Sequence, residues 1–151
     1  MSHADLVLLG RTSLAFVLSF VIGFERELRG APAGDRTYAL VGTGAAAITA
    51  VTYGNSPQAI AGVVTGIGFI GAGLVFRGDR GMLRGMTSAA CIFVVAALGI
   101  VSGTGHVVLA LLVTVIVLLD LELRHLPLLR GLDARRYSGK VADDADMPGM
   151  D

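Results

Sequence analysis

Five apolar segments separated by short loops are the feature that most constrains how this chain can fold. They cover residues 6–24, 38–53, 59–76, 86–102 and 107–123, and each approaches the ~17–20 residues that a helix needs to cross a bilayer. Mean hydropathy is +0.72 and only 16% of the residues are charged, so a soluble domain of this length would lack polar surface. The sequence therefore predicts an all-α, polytopic membrane helix bundle with five transmembrane helices.

The distribution of basic residues predicts the orientation of these spans. Every lysine and arginine except Arg11 falls in the first loop, in the third loop or after the fifth segment. Basic loops remain on the cytoplasmic side of a membrane. We therefore expect the N-terminus outside, the C-terminus in the cytoplasm and a transmembrane domain over residues 1–126. Residues 127–151 are too polar to bury a core, and we expect them to form a disordered cytoplasmic tail.

Glycine is abundant in the second and third segments. Gly66-Ile67-Gly68-Phe69-Ile70-Gly71 matches the dinucleotide-binding pattern G-x-G-x-x-G, but that pattern requires a preceding strand and a later acidic residue, which are both missing. Small residues instead allow membrane helices to approach closely. We predict such packing, within the bundle or across a dimer, at Gly42, Gly44, Gly62, Gly66, Gly68, Gly71 and Gly73.

Arg11 is the one full charge embedded in a predicted span. A charge at the centre of a bilayer costs at least ~2.5–3.5 kcal/mol, so such residues usually face inward and have a functional or pairing role. Arg11 also lies close enough to the outer end of its helix to extend toward the headgroups. The sequence leaves both interpretations open.

Polar residues cluster around the predicted cytoplasmic loops. Glu25 and Arg29 are spaced to pair on one helix, and Asp35 stands where it could cap the second helix. Capping and topology explain much of this pattern, whereas the alternative is a cytoplasmic binding surface. The candidate binding residues are Glu25, Arg26, Arg29, Asp35, Arg36, Thr37, Arg84 and Thr87.

Catalytic and metal-binding patterns are missing from the sequence. His3, His106 and His125 are scattered, and a lone Cys91 forms neither a disulfide framework nor a zinc site. No nucleophile and base can be paired by spacing, and a formal net charge of zero provides no general attraction to nucleic acid. We therefore expect no enzyme activity, no cofactor, no metal and no nucleic-acid partner.

Three blocks together carry a family resemblance. They are GFERELRGAPAGDRTYALVGTGAA (23–46), GVVTGIGFIGAGLVFR (62–77) and MLRGMTSAACIFVVAALGI (82–100). Over residues 6–123 the chain resembles the MgtC/SapB family of bacterial inner-membrane proteins. The family's motif positions correspond here to Glu25, Arg26, Gly30, Gly34, Arg36, Thr37, Gly66, Gly68, Gly71, Gly73, Arg84, Gly85, Thr87 and Ala89.

The resemblance implies a multi-pass protein of the bacterial inner membrane that serves adaptation to low magnesium or acid stress, and in pathogens survival inside macrophages. It also implies modulation of the F-type ATP synthase. Phe93 stands where the family usually has tryptophan. The best-known virulence members carry a folded soluble C-terminal domain, and we expect this chain to be a short form without it.

Two functional hypotheses follow. The first is a non-enzymatic regulatory protein that binds a second copy of itself or other inner-membrane proteins through its thin helices and cytoplasmic loops. The second is a transporter or channel component for magnesium or another small ion. Arg11 and the glycine-rich third segment motivate it, because glycine-interrupted helices often line the binding sites of transporters.

Overall fold

The computed structural model describes residues 2–77 and 83–123, and the regular structure in these ranges is helical apart from one short strand pair. The two-residue strands β1 (Phe76–Arg77) and β2 (Leu83–Arg84) pair antiparallel between the third and fourth helices. The predicted tail and most of the third loop lie outside the described residues. The helices are α1 (His3–Leu28), α2 (Asp35–Thr52), α3 (Pro57–Leu74), α4 (Met86–Thr104) and α5 (Val107–Leu123).

By its internal contacts the chain divides into two units, Met1–Ile116 and Val117–Asp151. The first contains α1 to α4 and the first turns of α5. Of the second unit, the structure describes only the last turns of α5. The features that follow all belong to the first unit.

Helix α1 is longer than the apolar segment that predicted it. It begins with a capping box, in which the Ser2 hydroxyl accepts from the Asp5 backbone N–H at 3.1 Å and the Asp5 carboxylate accepts from the Ser2 backbone N–H at 2.8 Å. It then continues through Glu25 and Arg26 to Leu28, because charged residues are good helix formers once the apolar stretch has ended. Gly30, with a φ of +67°, and Pro32 end it.

Three of the five helices, α1, α3 and α4, are long and apolar enough to cross a membrane, judged on the described residues alone. Helix α2 begins with Asp35 and Arg36, which lower its mean hydropathy. Helix α5 has 17 described residues. The helical fold class is thus found as predicted, whereas the count of five spans and their orientation stay a prediction.

Helices α1, α2 and α4 form the core, with α2 packed between the other two. The side chains of Ile22, Tyr38, Ile92, Val95 and Leu98 are fully buried there. On α1 the buried residues recur every three or four positions, from Ala15 to Gly23, which is the spacing of one helix face. Helix α3 packs mainly against α4, and α4 contributes the largest buried face.

The closest helix contacts involve glycines that the sequence analysis did not select, together with Gly42. A Cβ atom at Gly99 of α4 would lie 2.7 Å from the Ala45 Cβ of α2, and one at Gly103 would lie 2.9 Å from the Thr49 Cβ. Gly42 itself packs against the Ser19 side chain of α1. Gly99 and Gly103 have the same G-x-x-x-G spacing as Gly62 and Gly66, so the sequence marks both pairs equally as candidates.

Most of the glycines proposed for packing face open space in the described part of the chain. A Cβ atom at Gly71 would touch Ala89 of α4 at 3.8 Å. Nothing lies within 4 Å of a Cβ placed at the others, which are Gly44, Gly62, Gly66, Gly68 and Gly73. For these five the contact within the bundle is not observed, and a contact between chains stays a prediction. The pattern at Gly66–Gly71 lies inside α3, away from the strand-to-helix turn that nucleotide binding needs.

Candidate functional site

The polar residues of interest lie at one end of the first unit, where α1 ends and α2 and α4 begin. We call this the charged end. The buried face of α1, which contains Leu18 and Ile22, is extended by Glu25 and Arg26. Their side chains are only 12% and 15% exposed, because one helix face continues from the apolar core into its polar boundary.

Glu25 links two arginines. The Arg29 Nε donates to Glu25 Oε1 at 3.3 Å, which is the i,i+4 pair predicted from the spacing. The Arg26 Nη1 lies 3.9 Å from Glu25 Oε2. A carboxylate shared in this way balances only part of the adjacent guanidinium charge, and the longer distance makes the Arg26 pair the weaker of the two.

Arg26 connects this pair to the interior of the bundle. Its guanidinium interacts with the Tyr38 hydroxyl, which donates to the Ser88 carbonyl of α4 at 3.3 Å. Tyr38 is fully buried and Ser88 is 1% exposed. We call Glu25, Arg26, Tyr38 and Ser88 the buried polar network. It joins all three core helices. Tyr38 and Ser88 were not predicted as site residues, although a tyrosine in the first turn of an otherwise small-residue helix was a usable signal.

Three buried atoms of this network have no hydrogen-bond partner among the described residues. They are Arg26 Nε, Glu25 Oε2 and the Ser88 hydroxyl. A buried polar atom without a partner costs about 1–3 kcal/mol, so natural proteins rarely retain several in one place. Chemically, the network offers N–H and O–H donors in a poorly hydrated setting, beside one carboxylate oxygen.

The prediction that Asp35 is the N-cap of α2 is wrong. Gly34, not Asp35, is the N-cap, and the backbone N–H of Asp35 donates to Glu27 Oε2 of α1 at 3.1 Å. The Asp35 carboxylate accepts instead from the Arg36 backbone N–H. The turn at Gly30 brings Glu27 back over the start of α2, so a residue eight positions away satisfies the helix end that spacing had assigned to Asp35.

The remaining predicted residues of the charged end do not join the network. Arg36, Thr37, Arg84 and Thr87 are exposed. Arg84 lies on β2 and Thr87 in the first turn of α4. These residues form the accessible rim of the charged end. The predicted set therefore divides into a buried part, Glu25 and Arg26, and an exposed part that includes Arg29.

Arg11 lies at the opposite end of the first unit and turns inward. Its Nη1 donates to the Gly103 carbonyl in the last turn of α4 at 3.1 Å. Gly105, which ends α4 with a φ of +92°, lies so close that an added Cβ would be 2.7 Å from Arg11 Nη2. The carboxyl end of a helix carries partial negative charge. A backbone carbonyl thus takes the place of the missing acidic partner.

In the described part of the chain no three His, Cys, Asp or Glu side chains come together in a group that could hold a metal ion. The Thr104 hydroxyl contacts His106 Nδ1 at 2.8 Å beyond the end of α4. Cys91 is buried on α4, one turn from Ser88.

A family model described as the MgtC family matches residues 13–126. Among curated relatives, the putative magnesium transporter YhiD of Escherichia coli is 40% identical over 128 residues, which cover 76% of this chain and 59% of the relative. Protein MgtC of Brucella abortus is 39% identical over 109 residues, covering 69% and 45%. Protein SrpB of Synechococcus elongatus is 39% identical over 130 residues, covering 74% and 71%.

The chain thus spans little more than half the length of the first relatives that it matches. No solved structure matches it.

Proposed function

Because this chain belongs to the MgtC family, we propose that it is a non-enzymatic regulatory protein of the bacterial inner membrane that acts by binding other membrane proteins. In this proposal five spans cross the bilayer, with the N-terminus outside and the charged end in the cytoplasm. Its role is adaptation to low magnesium or acid stress. The partner is a second copy of the chain or another inner-membrane protein, with F-type ATP synthase as the specific candidate.

The observation that carries this proposal is a surface on α3 that no other described residue covers. Gly62, Gly66, Phe69 and Gly73 are spaced to share one face of the helix, and we call this the open face of α3. Phe69 is 80% exposed, and the three glycines have open space where a Cβ would stand. Helices associate in lipid through close van der Waals contact at small residues. A thin face with a projecting ring suits a protein neighbour of complementary shape.

The open face is tested by disulfide crosslinking in native membranes. Thr65 is exposed on α3 beside Phe69, so Thr65→Cys in a Cys91→Ala background, treated with a mild oxidant, should form a disulfide with the same cysteine of a second copy. An ATP synthase subunit is captured instead by a photoreactive maleimide attached to the new thiol, which needs no cysteine on the partner. Adding Gly66→Leu should reduce that adduct at least tenfold, because the side chain prevents close approach.

Val17→Cys, on the 53% exposed Val17 of α1, is the matched control and should give no defined adduct. Recovery of monomer alone from Thr65→Cys, or an adduct that Gly66→Leu does not change, would contradict the proposal.

The second candidate is a small-ion transporter component, which the name of the Escherichia coli relative, putative magnesium transporter YhiD, favours. Three features of the core count against a cation path between α1, α2 and α4. Arg11 and Arg26 stand toward the two ends of the buried face of α1, and both guanidinium groups repel cations. Close contacts at Gly99 and Gly103 narrow the space between the helices. The carboxylate nearest the interior, Glu25, is already shared with Arg29.

Ion flux decides between the two candidates. We expect purified chain in proteoliposomes to move Mg²⁺, H⁺ and K⁺ no faster than protein-free vesicles do, measured with entrapped fluorescent indicators. Correct insertion is checked by protease accessibility of the loops. Magnesium flux that depends on the protein and is abolished by Glu25→Gln would favour the transporter instead.

A further inference from the structure

Among the described residues, the start of α4 has no side chain that neutralises the amino end of the helix. Its N-cap is Gly85, in the left-handed conformation with a φ of +86°, and no described side chain caps it. The first turn contains no acidic residue. The amino end of a helix carries free N–H groups and partial positive charge, so this end is electrostatically suited to an anion.

A second, independent observation points to a ligand at the same place. The Ser88 hydroxyl, in the first turn of α4, is 1% exposed and without a partner among the described residues. Arg26 Nε is also buried and unpartnered. Both residues contact Tyr38, Ser88 through its carbonyl and Arg26 through its guanidinium. Arg26 and Ser88, which carry a charged N–H donor and an O–H donor, therefore both lie next to the Tyr38 hydroxyl.

Glu25 is the one acidic group within this network, and it does not remove the case for an anion. Its Oε1 is bound to Arg29 at 3.3 Å, and its Oε2 lies 3.9 Å from Arg26 Nη1 without a hydrogen bond. Arg26 therefore keeps an unused N–H on the side of its guanidinium where Nε lies. An oxyanion accepting from Arg26 Nε and the Ser88 hydroxyl would satisfy two of the three unpartnered buried atoms at once.

We propose that Arg26 Nε and the Ser88 hydroxyl, at the uncapped start of α4, bind a phosphate group. Phosphate offers several acceptor oxygens and matches the arginine fork. The apolar part of α1 ends at Phe24, so Arg26 lies at the depth where lipid headgroups meet a membrane helix. The phosphate comes from an anionic phospholipid headgroup or from free phosphate in the adjacent solution. This site is independent of the partner binding proposed for α3.

The test uses the full chain purified in a nonionic detergent. Inorganic phosphate binding is measured by ³¹P NMR against equal ionic strength of chloride. Lipid binding is measured by native mass spectrometry, comparing phosphatidylglycerol with a phosphate-free galactolipid. We expect the wild-type chain to bind one of the two phosphate probes, and Ser88→Ala to weaken that binding about tenfold, the effect of one lost hydrogen bond to a charged group.

Ser102→Ala is the matched control, because Ser102, at the far end of α4, is also fully buried and its hydroxyl has no partner among the described residues. It should leave phosphate binding unchanged. Arg26→Lys keeps the charge but removes Nε–H and should also weaken binding. Retention of phosphatidylglycerol alone identifies the lipid as the source, and binding of inorganic phosphate identifies the free ion. Binding of neither probe, or equal effects of Ser88→Ala and Ser102→Ala, overturns the proposal.

Discussion

Gly99→Ala is expected to lower the free energy of unfolding by about 3 kcal/mol, the upper range for forcing an extra methyl group into a packed core. The new Cβ would meet the Gly42 carbonyl, lie 2.7 Å from the Ala45 Cβ and lie 3.1 Å from the Ala46 backbone nitrogen. Two of these neighbours are backbone atoms. They cannot rotate away, so α2 and α4 must separate along their whole contact.

The measurement is denaturant-driven unfolding of the purified chain in mixed micelles, followed by circular dichroism. Gly10→Ala is the matched control, since Gly10 also lies within a helix and nothing stands within 4 Å of its Cβ position. This control should be neutral or stabilising by up to ~1 kcal/mol, the helix-propensity difference between the two residues. Equal midpoints for the two variants would show that the contact between α2 and α4 is looser than described.

Arg11→Leu is expected to destabilise the docking of α1 on α4 by about 2 kcal/mol, from a lost charge-assisted hydrogen bond and a lost interaction with the helix end. The Gly103 carbonyl would have no donor in the place that Arg11 now occupies. Removing the charge also removes its cost of burial, but Arg11 is only half-buried, which limits that compensation. The stability of Arg11→Lys should lie between that of Arg11→Leu and that of the wild-type chain, because an ammonium group keeps the charge but lacks the arginine fork.

Hydrogen exchange in lipid nanodiscs locates this effect. The backbone N–H of Gly105, which donates to the Ser102 carbonyl at 2.9 Å, should exchange faster in Arg11→Leu, while amides near Ile92 stay unchanged. Thr12→Val is the neighbouring control, since the Thr12 hydroxyl bonds only within α1, to the Leu8 carbonyl. If Arg11→Leu stabilises the chain, burying the Arg11 charge costs more free energy than its hydrogen bond to the Gly103 carbonyl returns. Arg11 would then serve a purpose other than holding α4.

Local patterns predicted the helices well, and the boundaries differ where the ends are set by contacts. The third segment was predicted to end at residue 76, but α3 ends at Leu74, because the chain then enters the pairing of β1 with β2. The capping of α2 was assigned to Asp35 on spacing and belongs to Glu27, which the turn at Gly30 brings back. Both corrections arise from contacts between residues eight positions apart, across a turn or loop rather than within one helix.

The candidate site was predicted in part for a similar reason. Glu25 and Arg26 were selected because charged residues at the end of a span stand out in sequence. Ser88 carries no local signal, because a serine inside an apolar segment is common, and the position of Tyr38 in the first turn of its segment marks it without indicating a partner. Their role depends on α2 and α4 starting beside the end of α1, which brings the Tyr38 hydroxyl to the Ser88 carbonyl.

The sequence by itself determined the apolar helices, the charge at their ends and the family. These are local properties, since each residue contributes its own hydropathy and charge wherever the helix lies. The tertiary structure decided which surfaces are used. Gly62 and Gly66 have the same spacing as Gly99 and Gly103, yet only the second pair meets another helix in the described chain. A glycine makes a helix thin, but close contact needs a second surface, and only the packed fold shows where one is present.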